Sequence, residues 1–468
     1  MELETMGIIS ILPALIAVVL AFWTKNTIVA LLIACFTGTL LAGDGLLGLP
    51  TVIKTATGTT GFSWVMLLNL YIAIIVAFFH KTGAIQAFSA WVEGKHLSRK
   101  GAQLLAWLLG IFVYFSDSFS PLFTGTVMRD ITDKARISKE KLSYIADSTA
   151  APVSVLVPIT GWAAYLMSLA VGVGCIATTD DAQALFLKAI PLNFYPILAV
   201  LLVGLTASGI VPEFGPMRRA EERAIKEGKV LRDGAEPLIG REITEMTVCP
   251  NVKPNVFLNF VAPIIFIIVF ALSTFFIMGS AKTMEAFLFT VILMAISLLI
   301  QGVPFKELME TVMTGIKSGV PAVALLALAY ALKEVSTTMG TANYIISVCE
   351  GFLSPAILPA VIFVVAAIMA FATGSSWGTF AICMPIALPL AFAYTHDNLT
   401  LLVIASFAAV AGGGVFGDHC SPVSDTTILA STGAGADHID HVKSQLPYAL
   451  VCGAIAVALY LVLGITSM

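Results

Sequence analysis

Long apolar runs, separated by short segments rich in charge, are the main pattern along this chain. A helix needs roughly 20 apolar residues to cross the hydrocarbon layer of a bilayer. Eight uninterrupted runs approach that length, at about 7–22, 26–42, 62–80, 188–208, 257–278, 284–300, 319–337 and 446–466. Two longer runs, at about 141–172 and 399–432, are broken near their centres by proline or glycine. The pattern predicts an all-α polytopic membrane protein with broken helices.

Two further apolar segments, 102–134 and 356–394, fit poorly as single spans. Each has two arms around a small polar stretch, which is Phe115-Ser-Asp-Ser-Phe-Ser-Pro121 in the first and Thr373-Gly-Ser-Ser-Trp-Gly-Thr379 in the second. An arm of roughly 13–15 residues is too short to cross a bilayer alone. Irregular backbone at membrane depth is tolerated only beside protein or a water-filled cavity. Both segments are therefore predicted to be re-entrant hairpins.

The two halves of the chain match at a constant spacing of 257 residues. The matching pairs are Thr57-Gly58 with Thr314-Gly315, Gly83 with Gly340, and Glu93-Gly94 with Glu350-Gly351. Each half contains five predicted spans and one hairpin, and because five is odd the second half is expected to be inverted. We expect inverted repeats at 1–210 and 257–468, joined by a linker at 211–256, an arrangement typical of secondary transporters.

Composition narrows the class of protein. Hydrophobic residues make up 58% of the chain and charged residues only 12%, and the mean hydropathy is +0.95. Soluble domains carry about 25% charged residues, so the composition argues against a soluble protein. A net charge of −4 without a long basic run argues against nucleic acid as a partner. The seven cysteines are scattered singly, which indicates neither a zinc site nor a disulfide framework.

The distribution of lysine and arginine predicts the orientation. The acidic N-terminus lacks the basic region of a cleaved signal peptide, so the first run is expected to be retained. With the N-terminus outside, the segments 80–101, 129–141 and 211–256, which hold most of the lysine and arginine, all face the cytoplasm. This predicts a multi-pass protein of the inner membrane with both termini outside and a cytoplasmic linker.

Four aspartates fall within apolar segments, where a charged side chain costs at least about 2.5–3.5 kcal/mol. They are Asp117 at the first hairpin tip, Asp147 in the first broken run, and Asp418 and Asp425 in the second. Polar side chains accompany them: Ser118, Thr149, Ser375, Ser376, Thr379, His419, Ser421 and Thr426. Hard cations prefer carboxylate, hydroxyl and carbonyl oxygens. These residues predict a substrate site in which the four aspartates bind sodium.

The same carboxylates indicate a proton as the second substrate. A carboxylate buried without a counter-ion favours its protonated form, so sodium and protons would compete for one site and be exchanged. Helix N-termini at the breaks could instead hold an organic anion, while bare carbonyls would hold a cation. The sequence has no recognisable constellation of an enzyme, and no cofactor is expected.

Several of these residues also have a structural interpretation. Asp147 could cap the second half of its broken helix, and His419 could either titrate near neutral pH or serve as a hydrogen-bond donor. Lys333 and Glu334 are expected to snorkel at the end of a span. Two His-Asp pairs are expected on a solvated face of the last cytoplasmic loop: Asp437-His438 and Asp440-His441.

Three stretches form a recognisable signature. The longest, 417–448, begins Gly417-Asp-His-Cys-Ser-Pro-Val-Ser-Asp425, and the others are 127–152 and 374–379. They resemble the NhaC-type sodium/proton antiporter family, and the likeness covers most of the chain outside 211–256. The resemblance implies membership of the ion transporter superfamily, with paired hairpins, paired broken helices, an elevator-like motion and commonly a homodimer.

The resemblance also limits the substrates, because it extends to sodium/proton antiporters, malate/lactate exchangers and sodium-coupled amino-acid carriers. Many members carry two adjacent acids at the first hairpin tip, where this chain has Ser116-Asp117; the missing acid leaves room for an organic substrate. Our first hypothesis is sodium/proton antiport. The alternative is sodium-coupled transport or exchange of an amino acid or a small organic acid.

Overall fold

The computed structural model describes residues 6–466 except 25, 85–86, 88–97, 115–116, 159, 239–247, 250–251, 253, 279–281, 342–343, 345–347 and 349–353. Within the described ranges the chain forms helices and no β-strands. Several of these helices are long and apolar enough to cross a membrane. The prediction of an all-helical polytopic membrane protein is confirmed.

The described part of the chain before the linker forms eleven α-helices. They are α1 (Leu12–Thr24), α2 (Thr27–Leu41), α3 (Gly48–Thr57), α4 (Thr60–Lys81), α5 (Arg99–Phe112), α6 (Phe119–Lys134), α7 (Lys139–Ser148), α8 (Ala151–Ser154), α9 (Gly161–Ala170), α10 (Thr179–Ala189) and α11 (Phe194–Ser208).

The linker contains α12, and eight further helices follow it in the described residues. They are α12 (Gly215–Glu227), α13 (Phe257–Met278), α14 (Thr283–Ile300), α15 (Phe305–Thr338), α16 (Leu358–Thr373), α17 (Ser376–Tyr394), α18 (Leu401–Cys420), α19 (Asp425–Ala434) and α20 (His438–Thr466).

Fewer helices than predicted meet the length of a full membrane span. Among the described residues, α13, α15, α17, α18 and α20 are long and apolar enough, and a sixth span arises if α10 and α11, which meet at 47°, count as one. The apolar run at 319–337 is only the second part of α15, which begins at Phe305 and continues through Pro321. Proline is tolerated inside long membrane helices because neighbouring groups satisfy the freed carbonyl.

Both predicted hairpins appear as pairs of helices around a short connection. The first consists of α5 and α6. The second consists of α16 and α17, which are separated only by Gly374 and Ser375. The arm α17 has 19 residues, more than predicted, and contains Pro385 and Pro389. That each hairpin returns to the side from which it enters stays a prediction.

Both predicted breaks occur. In the first, α7 ends at Ser148 and Pro152 lies in the single turn α8. In the second, α18 ends at Cys420 and α19 begins at Asp425. Ser421, which precedes Pro422, is extended, with φ −79° and ψ 135°. A residue before proline is sterically driven out of the helical region, so the proline explains where the helix ends.

The helices pack in two groups. Helices α1–α4 and α13–α15 contact mainly one another, and α5–α11 contact mainly α16–α20. The contacts between the groups are fewer and lie chiefly where α15 meets α19. The hairpins and the broken helices thus belong to one group, and α15 belongs to the other.

Glycine permits the closest helix contacts within the second group. A Cβ atom on Gly417 of α18 would overlap the backbone nitrogen of Phe371 in α16. A Cβ atom on Gly125 of α6 would lie 2.5 Å from the backbone nitrogen of Ala434 at the end of α19. Small residues let membrane helices approach at backbone distance. These contacts fix each hairpin to one half of the second broken helix.

The linker is fastened to the second group by ion pairs. Lys141 at the start of α7 lies 2.6 Å from Glu213, and Glu140 accepts a hydrogen bond of 2.9 Å from Arg223 of α12. Arg232 lies 2.7 Å from Asp440 in the first turn of α20. The linker therefore covers the ends of α7 and α20.

This cover corrects the expectation for the two His-Asp pairs. His438 and His441 are buried, with 3% and 0% exposure, and Asp437 is buried as well. The expectation of a solvated face is wrong for these three residues. The reason is that α20 begins at His438, well before its apolar run, so that its first turns pack against α7 and the linker.

We predict that Gly417→Ala lowers the melting temperature of the detergent-purified protein. The added Cβ meets backbone that cannot move aside, and overpacking of this kind costs about 1–3 kcal/mol. The matched control is Gly378→Ala, whose Cβ would lie 3.7 Å from Ser375 Oγ and 4.0 Å from Lys333 Cε, which are ordinary contacts. Equal melting temperatures for the two variants would contradict the close approach of α16 and α18.

Candidate functional site

A cavity of about 460 Å³ lies where both hairpin tips meet the second helix break. Its walls include Ala56, Thr59, Asp117, Ser118, Ala329, Tyr330, Lys333, Glu334, Thr373, Gly374, Ser375, Ser376, Trp377, Asp418, Val423 and Asp425. Three of the four predicted aspartates therefore share one cavity, together with the predicted serines of both tips.

Asp418, at the end of α18, is held by two hydroxyl groups. Ser376 donates to its Oδ2 at 2.5 Å, and Ser424 donates to its Oδ1 at 2.6 Å. Ser376 belongs to the second hairpin and Ser424 to the break, so the carboxylate joins the two elements. Asp418 is buried, whereas Asp117 and Asp425 are only partly buried.

A close backbone approach brings the second hairpin tip to the break. Gly374 has φ +63°, and a Cβ atom there would lie 2.6 Å from the carbonyl oxygen of Val423. Only glycine meets both conditions without strain. The first turn of α17 follows directly, with Ser375 Oγ accepting from the Gly378 backbone nitrogen at 3.4 Å. The N-termini of α17 and α19 both adjoin the cavity, where helix dipoles favour negative charge.

Four other predicted residues are not among those that line this cavity. Thr379 donates to Ser375 O at 2.9 Å and lines a separate cavity of about 120 Å³. Ser421 donates to Phe371 O at 2.8 Å, and Thr149 donates to Ile145 O in its own helix at 2.8 Å. Thr426 Oγ1 lies 3.0 Å from Ser424 Oγ and so supports a residue that holds Asp418.

Asp147 lies in a separate buried cluster. Its Oδ2 accepts from Gln445 Nε2 at 2.8 Å and lies 3.2 Å from His441 Nε2. Both partners are on α20 and, like Asp147, have no more than trace exposure. The four aspartates therefore do not form one cluster. That Asp147 shares a sodium site with the other three stays a prediction, and this arrangement does not support it.

His419 belongs to the same surroundings as Asp147. Its Nε2 lies 3.0 Å from Ser148 Oγ, and its Nδ1 lies 2.7 Å from the hydroxyl of Tyr195. A neutral imidazole has one donor and one acceptor nitrogen, so these two hydroxyls satisfy the ring. The geometry favours the structural interpretation of His419, as a link between α18, α7 and α11.

The sequence interpretation missed the contribution of α15. Tyr330, Lys333 and Glu334 line the cavity, a position that the snorkelling interpretation of Lys333 and Glu334 did not include. The signal was the helical spacing, since residues three and four apart share one face of a helix. In this chain Tyr330 is followed at that spacing by Lys333 and Glu334, so the three side chains form a polar stripe on one face of α15.

Carboxylate, hydroxyl and carbonyl oxygens near the second break are ligand types that could hold a hard cation. Among the described residues, no three His, Cys, Asp or Glu side chains are close enough to hold one metal ion. One or two carboxylates with hydroxyl and carbonyl oxygens would therefore have to suffice. Such sets are available around Asp418 and Asp425, next to the unwound backbone 421–424.

Comparison with known proteins agrees with this architecture. Residues 153–465 match the model of the Na⁺/H⁺ antiporter family. An uncharacterised protein of Haemophilus influenzae is 32% identical over 98% of this chain and 91% of its own length. The arginine/ornithine antiporter ArcD of Halobacterium salinarum is 31% identical, covering 36% of this chain and 33% of that protein. The malate-2H⁺/Na⁺-lactate antiporter of Bacillus subtilis is 29% identical, covering 35% of this chain and 34% of that protein.

A many-helix membrane protein whose hairpin tips and helix break enclose carboxylates has the features of a secondary transporter. The family match covers more than half of the chain. The chain belongs to the Na⁺/H⁺ antiporter family.

We predict that Asp147→Ala destabilises the protein. The substitution leaves His441 Nε2 without its carboxylate partner and removes one of the two acceptors of Gln445 Nε2, which keeps the carbonyl of His419. An unsatisfied buried polar group costs about 1–3 kcal/mol. The melting temperature in detergent should fall, while the exposed control Asp180→Ala should melt like the wild type. A variant of normal stability that has lost sodium-dependent transport would instead place Asp147 in the ion site.

Proposed function

We propose that this protein is a secondary active antiporter that exchanges sodium for protons. The observation that carries the proposal is the convergence of Asp117, Asp418 and Asp425 on one cavity between the hairpin tips and the second break. Carboxylates in a low-dielectric site need a neutralising partner. Sodium and protons can each provide it, and their competition couples the two fluxes.

The break supplies the ligands that a sodium ion needs besides carboxylate. Ser376 and Ser424 now donate to Asp418, but a hydroxyl oxygen also has acceptor lone pairs and rotates freely. On sodium binding, these hydroxyls would turn their oxygens toward the ion, and Asp418 would bind it directly. On protonation, Asp418 would no longer require both donors. Asp117 and Asp425 would also change the charge of the cavity, by binding sodium or by taking up a proton.

Helix boundaries support the proposed repeats. The pair α3–α4 runs from Gly48 to Lys81, and α15 runs from Phe305 to Thr338, so both ends are displaced by 257 residues. The second arm of the first hairpin, α6, begins at Phe119, and the second arm of the second hairpin, α17, begins at Ser376. These starts are again 257 residues apart. This is the spacing of the sequence matches. We propose inverted repeats at 1–210 and 257–468 on this basis.

The two packing groups support an elevator-like motion. The hairpins and broken helices would move as one block against a scaffold that includes α1, α2, α13 and α14. The close glycine contacts of α16 with α18 and of α6 with α19 favour a rigid block. The proposed setting is the inner membrane, with both termini outside and the linker in the cytoplasm, as the lysine and arginine distribution favours. We also propose a homodimer, on the resemblance to the family.

We predict that Asp117→Asn and Asp425→Asn each abolish sodium-driven proton movement. Asparagine keeps the shape of the side chain but can neither carry a proton nor neutralise a cation. The purified protein would be placed in liposomes with a trapped pH dye and an imposed proton gradient, which sodium should collapse. The exposed Asp180→Asn variant serves as the control. Normal exchange by Asp117→Asn would remove the first hairpin from the ion site.

We predict that Ser424→Ala raises the sodium concentration needed for half-maximal transport by about 10-fold. The substitution removes one of the hydroxyl oxygens that are proposed to turn toward the ion. A contact between a charge and a polar group contributes roughly 1.5–3 kcal/mol, and about 1.4 kcal/mol corresponds to one factor of ten. Ser421→Ala is the matched control, because its hydroxyl donates to backbone and not to Asp418. It should affect stability more than sodium affinity, and the reverse order would contradict the proposed ligand set.

A second candidate function is the sodium-coupled transport or exchange of a small organic solute. The volume favours it: the cavity of about 460 Å³ lies within the range of roughly 300–1,000 Å³ typical of small-molecule sites, whereas one water molecule occupies about 30 Å³. Two relatives are named for organic substrates, arginine/ornithine and malate/lactate. In the liposome assay, this function predicts little response to sodium alone and sodium-dependent uptake of a labelled solute.

A further inference from the structure

Lys333 gives the cavity a positive pole. It lies on α15 and lines both the large cavity and the adjoining cavity of about 120 Å³. Its side chain is half-buried, and its Nζ lies 5.6 Å from the ring centroid of Tyr330. A lysine at the end of a span would normally extend its ammonium group to the membrane surface. This one instead lines the enclosed space that also holds the aspartates.

The ammonium group of Lys333 has no direct polar contact within the described part of the chain. It forms no ion pair within 4.0 Å and no hydrogen bond there, but it lies over the Tyr330 ring and interacts electrostatically with Asp425. Other buried lysines of this protein are paired, as Lys141 is with Glu213 at 2.6 Å. An ionisable group kept in a membrane cavity without a direct ion pair marks a functional position. An anionic group of a ligand would complete its coordination.

The other group of helices contributes negative charge to the cavity. Asp117, Asp418 and Asp425 come from the hairpin and the broken helix, on the other group of helices. The N-terminus of α17, beginning at Ser376, adjoins the Lys333 side and favours a carboxylate. On the α15 side Lys333 lies next to Glu334, and Lys333 is the one cationic group among the described residues that line this cavity. A cavity with one lysine and several carboxylates complements a molecule that carries both charges.

Aromatic groups supply the apolar part of the walls. Tyr330 lies one helical turn from Lys333, and Trp377 stands on the first turn of α17. Trp377 is itself packed against Tyr165 at 4.8 Å and Trp162 at 5.7 Å between ring centroids. Small-molecule sites combine such apolar surface with a few placed polar groups. A bare cation would need none of it.

We propose that Lys333 binds the carboxylate of a small zwitterionic substrate, an α-amino acid, whose ammonium group faces the aspartates. This inference deepens the second candidate function and rests on the proposed cation-coupled transport. Lys333 selects the organic substrate, and Asp418 with Asp425 serves the cation. A dicarboxylate would satisfy only the Lys333 side and would meet the aspartates with like charge, which costs binding energy.

The test is ligand-dependent thermal stabilisation of the full-length protein in detergent, with and without sodium. The panel comprises neutral and basic α-amino acids, their N-acetyl forms, their amide forms and simple dicarboxylates. We expect an α-amino acid to raise the melting temperature, and the N-acetyl and amide forms, each lacking one charge, to bind at least about 10-fold more weakly.

Variants assign the effect to Lys333. Lys333→Gln should lose the amino-acid shift and keep the shift caused by sodium alone. Lys333→Arg, which retains the charge, should keep the sodium shift and part of the amino-acid shift. Lys306→Gln, an exposed lysine on the same helix, should behave like the wild type. An amide that binds as well as its parent amino acid, or an amino-acid shift that survives Lys333→Gln, would overturn the role of Lys333.

The outcomes separate this inference from the proposed function. If sodium stabilises the protein and no organic compound adds to it, the inference fails and sodium/proton exchange stands. If an amino acid stabilises the protein through Lys333 and sodium has no effect in either assay, the cation-coupled function fails and the zwitterion site stands. A dicarboxylate that binds more tightly than every amino acid would also overturn the inference.

Discussion

Backbone groups set free inside a membrane need partners, and the second helix break is organised around this constraint. The carbonyl of Asp418 accepts from Thr427 Oγ1 at 3.1 Å, and the carbonyl of His419 accepts from Gln445. The carbonyl of Pro422 lies 2.8 Å from His438 Nε2. Helices α19 and α20 thus satisfy the break from the protein side. The side of the break that faces the hairpin tips borders the cavity.

The same constraint explains the buried polar groups of α20. Gln445 donates both to the carbonyl of His419 and to the carboxylate of Asp147, so one side chain joins the second break to the end of α7 at the first. His438 and His441 lie one helical turn apart and serve the two breaks in the same way. These residues hold the geometry of the cavity without lining it, and their burial requires the early start of α20 beneath the linker.

The elements that carry strong local signals could be predicted from the sequence. The glycine-serine tip at 374–376 and the Ser421–Ser424 break follow from the conformational limits of glycine and proline, and grouping Asp117, Asp418 and Asp425 followed from placing them at such points. Asp147 could not be separated from them, because its neighbours come from α20, 294 and 298 residues away along the chain. Lys333 was misplaced because a charge near the end of an apolar run is compatible with a surface position as well as with a cavity wall.

The division of charge between the two groups of helices has a consequence for coupling. Lys333 belongs to the group of α15, and the aspartates belong to the group of the hairpins and broken helices. If the groups slide past each other as proposed, a cation bound only to the aspartates travels with them. A zwitterion held at both poles bridges the boundary, so motion must break one of its two contacts. In this proposal the aspartate contact would move with the cargo and the Lys333 contact would not. Lys333 would then serve to capture the substrate on one side of the membrane rather than to carry it across.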